Sequence, residues 1–115
     1  MAVKTITPVK GEVNKITKYA PVAAESTADG FEFKLPRMTD EYIVIMVQNS
    51  GSGAATIALK APTNGSYAAA SSDETLELAA NEFAFIRFES ARYANYDGTV
   101  KLVPNNAAVK LAVLY

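Results

Sequence analysis

Short segments in which apolar and polar residues alternate, or in which nearly every residue is apolar, recur along this chain. The clearest alternation is at residues 31–35 (FEFKL), where both phenylalanines and the leucine fall on one face of an extended strand. Residues 42–47 (YIVIMV) and 83–88 (FAFIRF) are almost entirely apolar at both odd and even positions. Both runs are short, and Gly, Pro or Asn residues flank them. They therefore predict strands covered on both faces, not helices.

Turn-forming clusters separate these segments. Residues 49–53 (NSGSG) predict the turn of a hairpin that spans residues 42–60. Asn81 is the predicted residue of positive φ in the turn before 83–88. Residues 95–98 (NYDG) form a second hairpin signal, with Asp-Gly at its centre. Further strands are predicted at 55–59, 75–78, 99–103 and 109–115.

This spacing of strands and turns predicts an all-β fold. We expect a small β-sandwich, jelly-roll or immunoglobulin-like, of about 7–9 strands. Residues 90–95 leave room for no more than one helical turn. The residues predicted to be buried between the two sheets are Ile43, Ile45, Val47, Ile57, Leu76, Leu78, Phe83, Phe85, Ile86, Val100, Leu111 and Val113.

The first twenty residues differ in character from the rest of the chain. They contain β-forming residues that Pro8 and Gly11 interrupt and that Pro21 follows, so 1–20 is predicted to be an extended N-terminal arm or an edge strand, and 21–115 the sandwich domain. An arm of this kind gains little by packing on its own domain and more by lying along a neighbouring subunit, so deletion of residues 2–20 is expected to leave the sandwich folded but to weaken attachment to its partner. Its lysines either protect a solvated edge or contact an acidic protein neighbour. They are Lys4, Lys10, Lys15 and Lys18.

The amino-acid composition excludes several classes of catalytic and metal-binding site. The 115 residues contain no histidine and no cysteine, so imidazole catalysis, thiolate catalysis and Cys/His zinc sites are excluded. Net charge is −1, without the basic excess typical of nucleic-acid binders, and no apolar run approaches membrane-spanning length. The acidic pairs 40–41 and 73–74 place neighbouring carboxylates on opposite faces of a strand. We therefore predict no catalytic residue, cofactor or metal site, and neither a nucleic-acid nor a membrane partner.

Aromatic residues in or beside the loops are the better candidates for a binding site. A tyrosine supplies apolar area and a hydroxyl group at low entropic cost, which suits protein or sugar contacts. The alternative is that some of these rings close the end of the sandwich. The candidate partner-binding residues here are Tyr67, Arg92, Tyr93 and Tyr96.

From Glu41 to Tyr115 the chain resembles the head decoration, or cement, proteins of tailed phages. The segments that carry the resemblance are YIVIMVQNSGSGAATIAL, LELAANEFAFIRF, RYANYDGTVKLV and the terminal VKLAVLY. The resemblance implies a non-enzymatic virion protein, made in the host cytoplasm, that binds the major capsid protein on the outer capsid surface. It also implies a clamp over capsomer junctions, often as a homotrimer.

A different class of function stays open from the residues. A β-sandwich of this size also suits a carbohydrate- or receptor-binding module of a phage tail or of a bacterial surface protein. The absence of tryptophan counts against strong sugar stacking. A small hydrolase is disfavoured, because no serine has the flanking glycines of a nucleophile elbow.

Overall fold

The computed structural model describes residues 3–36, 42–65 and 71–115. Within these ranges the chain forms nine strands and one helix of a single turn, so the predicted all-β fold is confirmed. The elements are β1 (Lys4–Thr5), β2 (Val22–Ala23), β3 (Phe31–Lys34), β4 (Val44–Asn49), β5 (Ala55–Leu59), β6 (Glu74–Leu78), β7 (Phe83–Ile86), α1 (Ser90–Tyr93), β8 (Thr99–Pro104) and β9 (Val109–Leu114).

The strands form two sheets with the core between them. One sheet has five strands in the order β1-β3-β8-β5-β6, and the other has four in the order β2-β9-β4-β7. Strands β2, β3, β4 and β5 pair antiparallel with β9, β8, β7 and β6, as the two arms of one long hairpin would. The additional pairs β4–β9 and β5–β8 roll that hairpin into two layers. This topology is that of a jelly roll, one of the two sandwich types predicted.

Strand residues of one parity build the core. In β4, Ile45 and Val47 are buried, and β9 places Val113 and Leu111 opposite them, so the two strands share one apolar face. The predicted core residues that are buried are Ile43, Ile45, Val47, Ile57, Leu78, Val100, Leu111 and Val113. Leu76 and Ile86 are half-buried against the same core.

The predicted burial of Phe83 and Phe85 is wrong. These side chains are 66% and 64% exposed. Ala84 and Ile86 occupy the inward positions of β7, opposite Val47 and Ile45, so the two phenylalanines lie on the outer face of their sheet. β7 is an edge strand, and the prediction of a central strand covered on both faces therefore fails here.

The predicted hairpin over residues 42–60 is also wrong. β4 belongs to the four-stranded sheet and β5 to the five-stranded sheet, so residues 49–53 form a corner between layers. The turn at 79–82 likewise joins β6 and β7 in different sheets, although Asn81 has the predicted positive φ, of 60°. The 95–98 turn follows α1 and precedes β8, and it does not close a two-stranded hairpin. Local turn chemistry is the same whether a chain reverses within one sheet or crosses to the next.

The N-terminal segment is partly integral to the domain. β1 pairs in parallel with β3, and Ile6 is buried in the core beside it. The chain then crosses to the other sheet, where the Val9 backbone N–H donates to the Val113 carbonyl at 2.8 Å and the Gly11 N–H donates to the Tyr115 carbonyl at 2.7 Å. The prediction that this region gains little from its own domain is thus wrong for residues 4–11, because Ile6 is part of the core and the backbone of the segment bonds to both sheets.

Residues 12–20 differ from the segment before them. Every residue in this stretch is exposed, and it leads directly to Pro21 and β2. We call residues 12–20 the excursion. Its aliphatic side chains Val13 and Ile16 are 89% and 98% exposed.

Candidate protein-interaction surface

A groove opens where the last strands of the two sheets meet. β6 is the edge of the five-stranded sheet and β7 the edge of the four-stranded sheet. The groove between them has a volume of about 300 Å³. We call it the edge groove. Its apolar lining is formed by Ile57, Leu59, Leu76 and Ile86, and the exposed side chains of Glu74, Phe85 and Arg87 also line it, so it carries charges of both signs.

The register of β5 and β6 explains the chemistry of the groove. Leu76 lies opposite Ile57, and Glu74 lies opposite Leu59, so Glu74 occupies a core-facing position at the start of an edge strand. A charged residue at such a position disfavours closure of the edge by another sheet. The floor of the groove is therefore apolar while one end carries a carboxylate.

Next to the groove, the outer face of β7 presents two aromatic rings to solvent. Phe85 lies opposite Met46, and Phe83 lies opposite Gln48 of β4. Exposed aromatic residues that are neighbours on one strand are unusual on a monomer and are typical of interaction sites. β7 has a hydrogen-bonded neighbour on one side only within the described sheet, so half of its backbone groups face away from β4.

The predicted partner-binding residues outside the N-terminal segment differ in their contacts. Tyr93 packs against the core, and its pKa is raised above the ordinary value of 10.0, first by burial and then by the nearby Glu74 carboxylate. Arg92 forms an exposed ion pair with Glu89 at 3.6 Å. Tyr96 is exposed. Tyr67 lies outside the described residues.

Asn95 holds this end of the sandwich together. Its Oδ1 accepts hydrogen bonds from the backbone N–H groups of Thr63 at 3.0 Å and Asn64 at 3.1 Å, while its Nδ2 donates to the Thr99 carbonyl at 3.0 Å. One side chain thus connects the loop after β5, the end of α1 and the start of β8.

The four predicted lysines lie at the opposite edge of the domain from the edge groove. Lys4 is in β1, and Lys10 follows on the β9 side, while Lys15 and Lys18 belong to the excursion. Lys15 makes an exposed ion pair with Glu12 at 3.6 Å. The structure does not bring the lysines and the described tyrosines into one site.

The described residues contain no group of three or more acidic side chains that could hold a metal ion. Of the acidic pair 73–74, Asp73 is engaged by Lys60 at 2.6 Å and by the Ala61 backbone N–H at 2.8 Å, and these contacts lower its pKa below 3.8. The other pair, 40–41, lies outside the described residues.

No helix in the described part of the chain is both long and apolar enough to span a bilayer. What the described geometry offers is an apolar surface for binding.

Sequence reasoning missed the strongest features of this surface. Phe83 and Phe85 were assigned to the core, and the edge groove was not foreseen. No local pattern in the sequence corrects this, because the parity with two phenylalanines is the more apolar one and favours burial of that face. Which parity faces inward depends on the neighbouring strand, and strand order is a tertiary property.

Comparisons with protein-family models, with curated proteins and with solved structures find no match to this chain.

Proposed function

We propose that this protein is a non-enzymatic structural domain that binds another protein, and that its partner is the major capsid protein on the outer surface of a tailed-phage head. The observation that carries the proposal is the exposure of Phe83 and Phe85 on the edge strand β7. Apolar rings in water contribute little to the monomer. They contribute to binding when a partner covers them.

The identity of the partner comes from the resemblance to head decoration proteins between Glu41 and Tyr115. The jelly-roll topology is compatible with it, because jelly rolls occur in viral capsid domains, although they also occur in lectins. A fold by itself does not assign function. The aromatic β7 surface favours a protein partner, since it combines adjacent phenyl rings with an unpaired strand edge.

In this proposal the protein is made in the host cytoplasm and is located on the outside of the capsid. It adds buried area across the contacts between capsomers. Because area is gained only when the capsid is intact, decoration stabilises the assembled shell relative to its separated subunits. No bond is made or broken, and no cofactor is used.

Cosedimentation with undecorated capsids tests the proposal. Such capsids can be purified from the encoding phage after deletion of this gene, and the purified protein is then added back. We expect the wild-type protein to sediment with the capsids and to raise their melting temperature. The double variant Phe83→Ser, Phe85→Ser should lose most of this binding, because both rings are removed from the contact. Tyr96→Ser removes an exposed aromatic ring outside β7 that the sequence also made a candidate for partner binding; normal binding by this variant supports the contact at β7, and lost binding would place the contact at Tyr96.

Other outcomes would redirect the assignment. If the wild-type protein does not sediment with capsids, the decoration function is wrong. Retention of a glycan by the purified protein, with no capsid binding, would favour the carbohydrate-binding alternative. If the double variant binds capsids as tightly as wild type does, the contact lies elsewhere on the domain.

A further inference from the structure

The loop after β5 contains the only Asn-Gly pair of the chain, at Asn64 and Gly65. Asparagine is a labile residue, and it is most labile before glycine, because the next backbone nitrogen can attack the side-chain amide and no Cβ atom hinders its approach. Asn64 is exposed, so water reaches its side chain. The pair is therefore a candidate site of covalent modification, next to the network that Asn95 forms.

The fold requires the glycine of this pair. A Cβ atom at residue 65 would lie 2.6 Å from the carbonyl oxygen of Ala94, directly after α1. That oxygen belongs to the backbone, so it cannot move aside as the end of a flexible side chain can. A bulkier residue would slow the attack on Asn64, but the close approach of the two segments leaves no room for one.

The surroundings of Asn64 favour the attack. The Gly65 N–H donates no hydrogen bond within the part of the chain that the structure describes, so no acceptor there holds the nitrogen back. The Tyr96 backbone N–H faces both oxygens of Asn64, at 2.9 Å from the main-chain carbonyl oxygen and 3.3 Å from Oδ1. Negative charge develops on Oδ1 when a nitrogen adds to the amide carbon, and a backbone donor beside that atom stabilises the charge.

We infer that Asn64 is a site of spontaneous deamidation, and that the folded chain promotes the reaction. Hydroxide takes the proton of the Gly65 N–H, and the nitrogen forms a bond to Asn64 Cγ. The Cγ–Nδ2 bond then breaks, and Nδ2 takes a proton from water and leaves as ammonia. The product is a five-membered succinimide ring, which water opens at either of its two carbonyl carbons to give aspartate or isoaspartate. No oxidant or cofactor is needed.

The isoaspartate product changes the backbone at this end of the sandwich. Its chain runs through the side-chain carbons of residue 64, so the connection to Gly65 is longer by one methylene group. The carbonyl that accepts the Tyr96 N–H becomes a free carboxylate, and Gly65 is displaced relative to Ala94. We expect this product to loosen the attachment of residues 94–96 to the loop after β5. The change is slow, is not reversed by the protein itself and does not depend on binding to a capsid.

Incubation of the purified protein at mildly alkaline pH, followed by peptide mass spectrometry, tests the reaction. We expect conversion at Asn64 to be several-fold faster than at Asn105 and Asn106, and to become faster as pH rises. These two asparagines are exposed, and their Oδ1 atoms also accept backbone N–H groups, but no glycine follows them. The folded protein should react at least as fast as the same protein unfolded in guanidinium chloride. Asn64→Gln should show no conversion at residue 64.

Hydrogen exchange of the Tyr96 amide measures the structural consequence. We expect faster exchange in protein that carries isoaspartate at residue 64. Asn64→Asp is the matched control, since it adds the same negative charge without lengthening the backbone, and its Tyr96 amide should exchange as in wild type. Conversion at Asn64 no faster than at Asn105 and Asn106 would overturn the inference. So would a folded protein that reacts more slowly than the unfolded one, because the fold would then protect Asn64.

Discussion

The side chain of Asn49 links the two sheets through the carbonyl oxygen of Ala79, to which its Nδ2 donates a hydrogen bond of 3.1 Å. Asn49 ends β4 in one sheet, and Ala79 directly follows β6 in the other. The same amide donates to Gly53 at 2.8 Å, and its Oδ1 accepts from the Gly51 N–H at 3.0 Å. Asn49 is completely buried, so water does not reach its amide group. This residue makes the 49–53 segment a corner between layers.

Loss of this amide should destabilise the domain. Asn49→Ala removes the donor that serves the buried Leu78 carbonyl at 3.3 Å, together with the part-buried bonds of the corner, and we expect it to cost about 3 kcal/mol of the free energy of unfolding. Chemical denaturation measures the change. Asn105→Ala is the matched control, because Asn105 Oδ1 accepts from the Thr56 N–H at 2.8 Å on an exposed turn, where water can take over. A cost for Asn49→Ala no larger than that of the control would contradict the role assigned to Asn49.

A second test compares the stability effect of replacing a buried phenylalanine with that of replacing an exposed one. Phe33 is fully buried and contacts Phe88 edge to face, with ring centroids 6.1 Å apart, whereas Phe85 is mostly exposed. Phe33→Ala should cost about 3–5 kcal/mol, because it removes a core ring and leaves a cavity. Phe85→Ala should cost below about 1 kcal/mol. Equal costs in denaturant titrations would mean that Phe85 packs in the core after all.

Two isoleucines make the same comparison in the N-terminal segment. Ile6 is buried between the sheet edges, and Ile16 is exposed in the excursion. Ile6→Ala should lower the free energy of unfolding by about 2–4 kcal/mol, while Ile16→Ala should leave thermal unfolding of the monomer unchanged. Deletion of residues 2–11 should likewise destabilise the fold. A stable, cooperatively folded deletion variant would show that β1 and Ile6 are dispensable.

Gly30 is required by its backbone conformation. Its φ is 68°, and a Cβ atom there would collide with the carbonyl oxygen of Leu102 in β8. Gly30→Ala should therefore cost more than about 2 kcal/mol, as a shift in melting temperature would show. Gly53→Ala is the control, since a Cβ at Gly53 meets no atom within 4 Å. If both variants melt at the same temperature, the close approach of Gly30 to β8 is wrong.

The Asp73–Lys60 pair predicts a small stability change in acid. The Lys60 hydrogen bond, with the Ala61 N–H second, lowers the pKa of Asp73 below 3.8 in the folded state. The folded state thus binds this proton more weakly than the unfolded state. The resulting stabilisation is present above pH 3.8 and is lost as pH falls through the folded-state pKa.

Both partners are largely exposed, so this contribution is below about 1 kcal/mol. The free energy of unfolding of wild type and Asp73→Asn, measured against pH, gives the difference. We expect wild type to be more stable near neutral pH and the two curves to converge in acid. Curves that stay parallel into strong acid would mean that the pair does not stabilise the fold.

The sequence predicts some elements of this fold correctly and others incorrectly. The prediction of which β3 residues face the core is confirmed. Phe31 and Phe33 alternate with Glu32 and Lys34, so only one face of this strand is apolar. The conformation of Asn81 was also correct, since a positive φ is a local property of the residue. For β7 both parities are apolar, so the sequence predicts burial of both faces, whereas only the face with Ala84 and Ile86 packs against the core.

The sequence by itself determined that this chain forms short strands, where most of them lie and that they bury their apolar residues in a sandwich. Those properties depend on side-chain alternation and turn chemistry, which act over a few residues. The tertiary structure alone decided which strands pair, that residues 49–53 cross between sheets, and that β6 and β7 become edges with a groove between them. Pairing depends on contacts between residues distant in the chain, such as Asn49 with Ala79, and no local pattern encodes them.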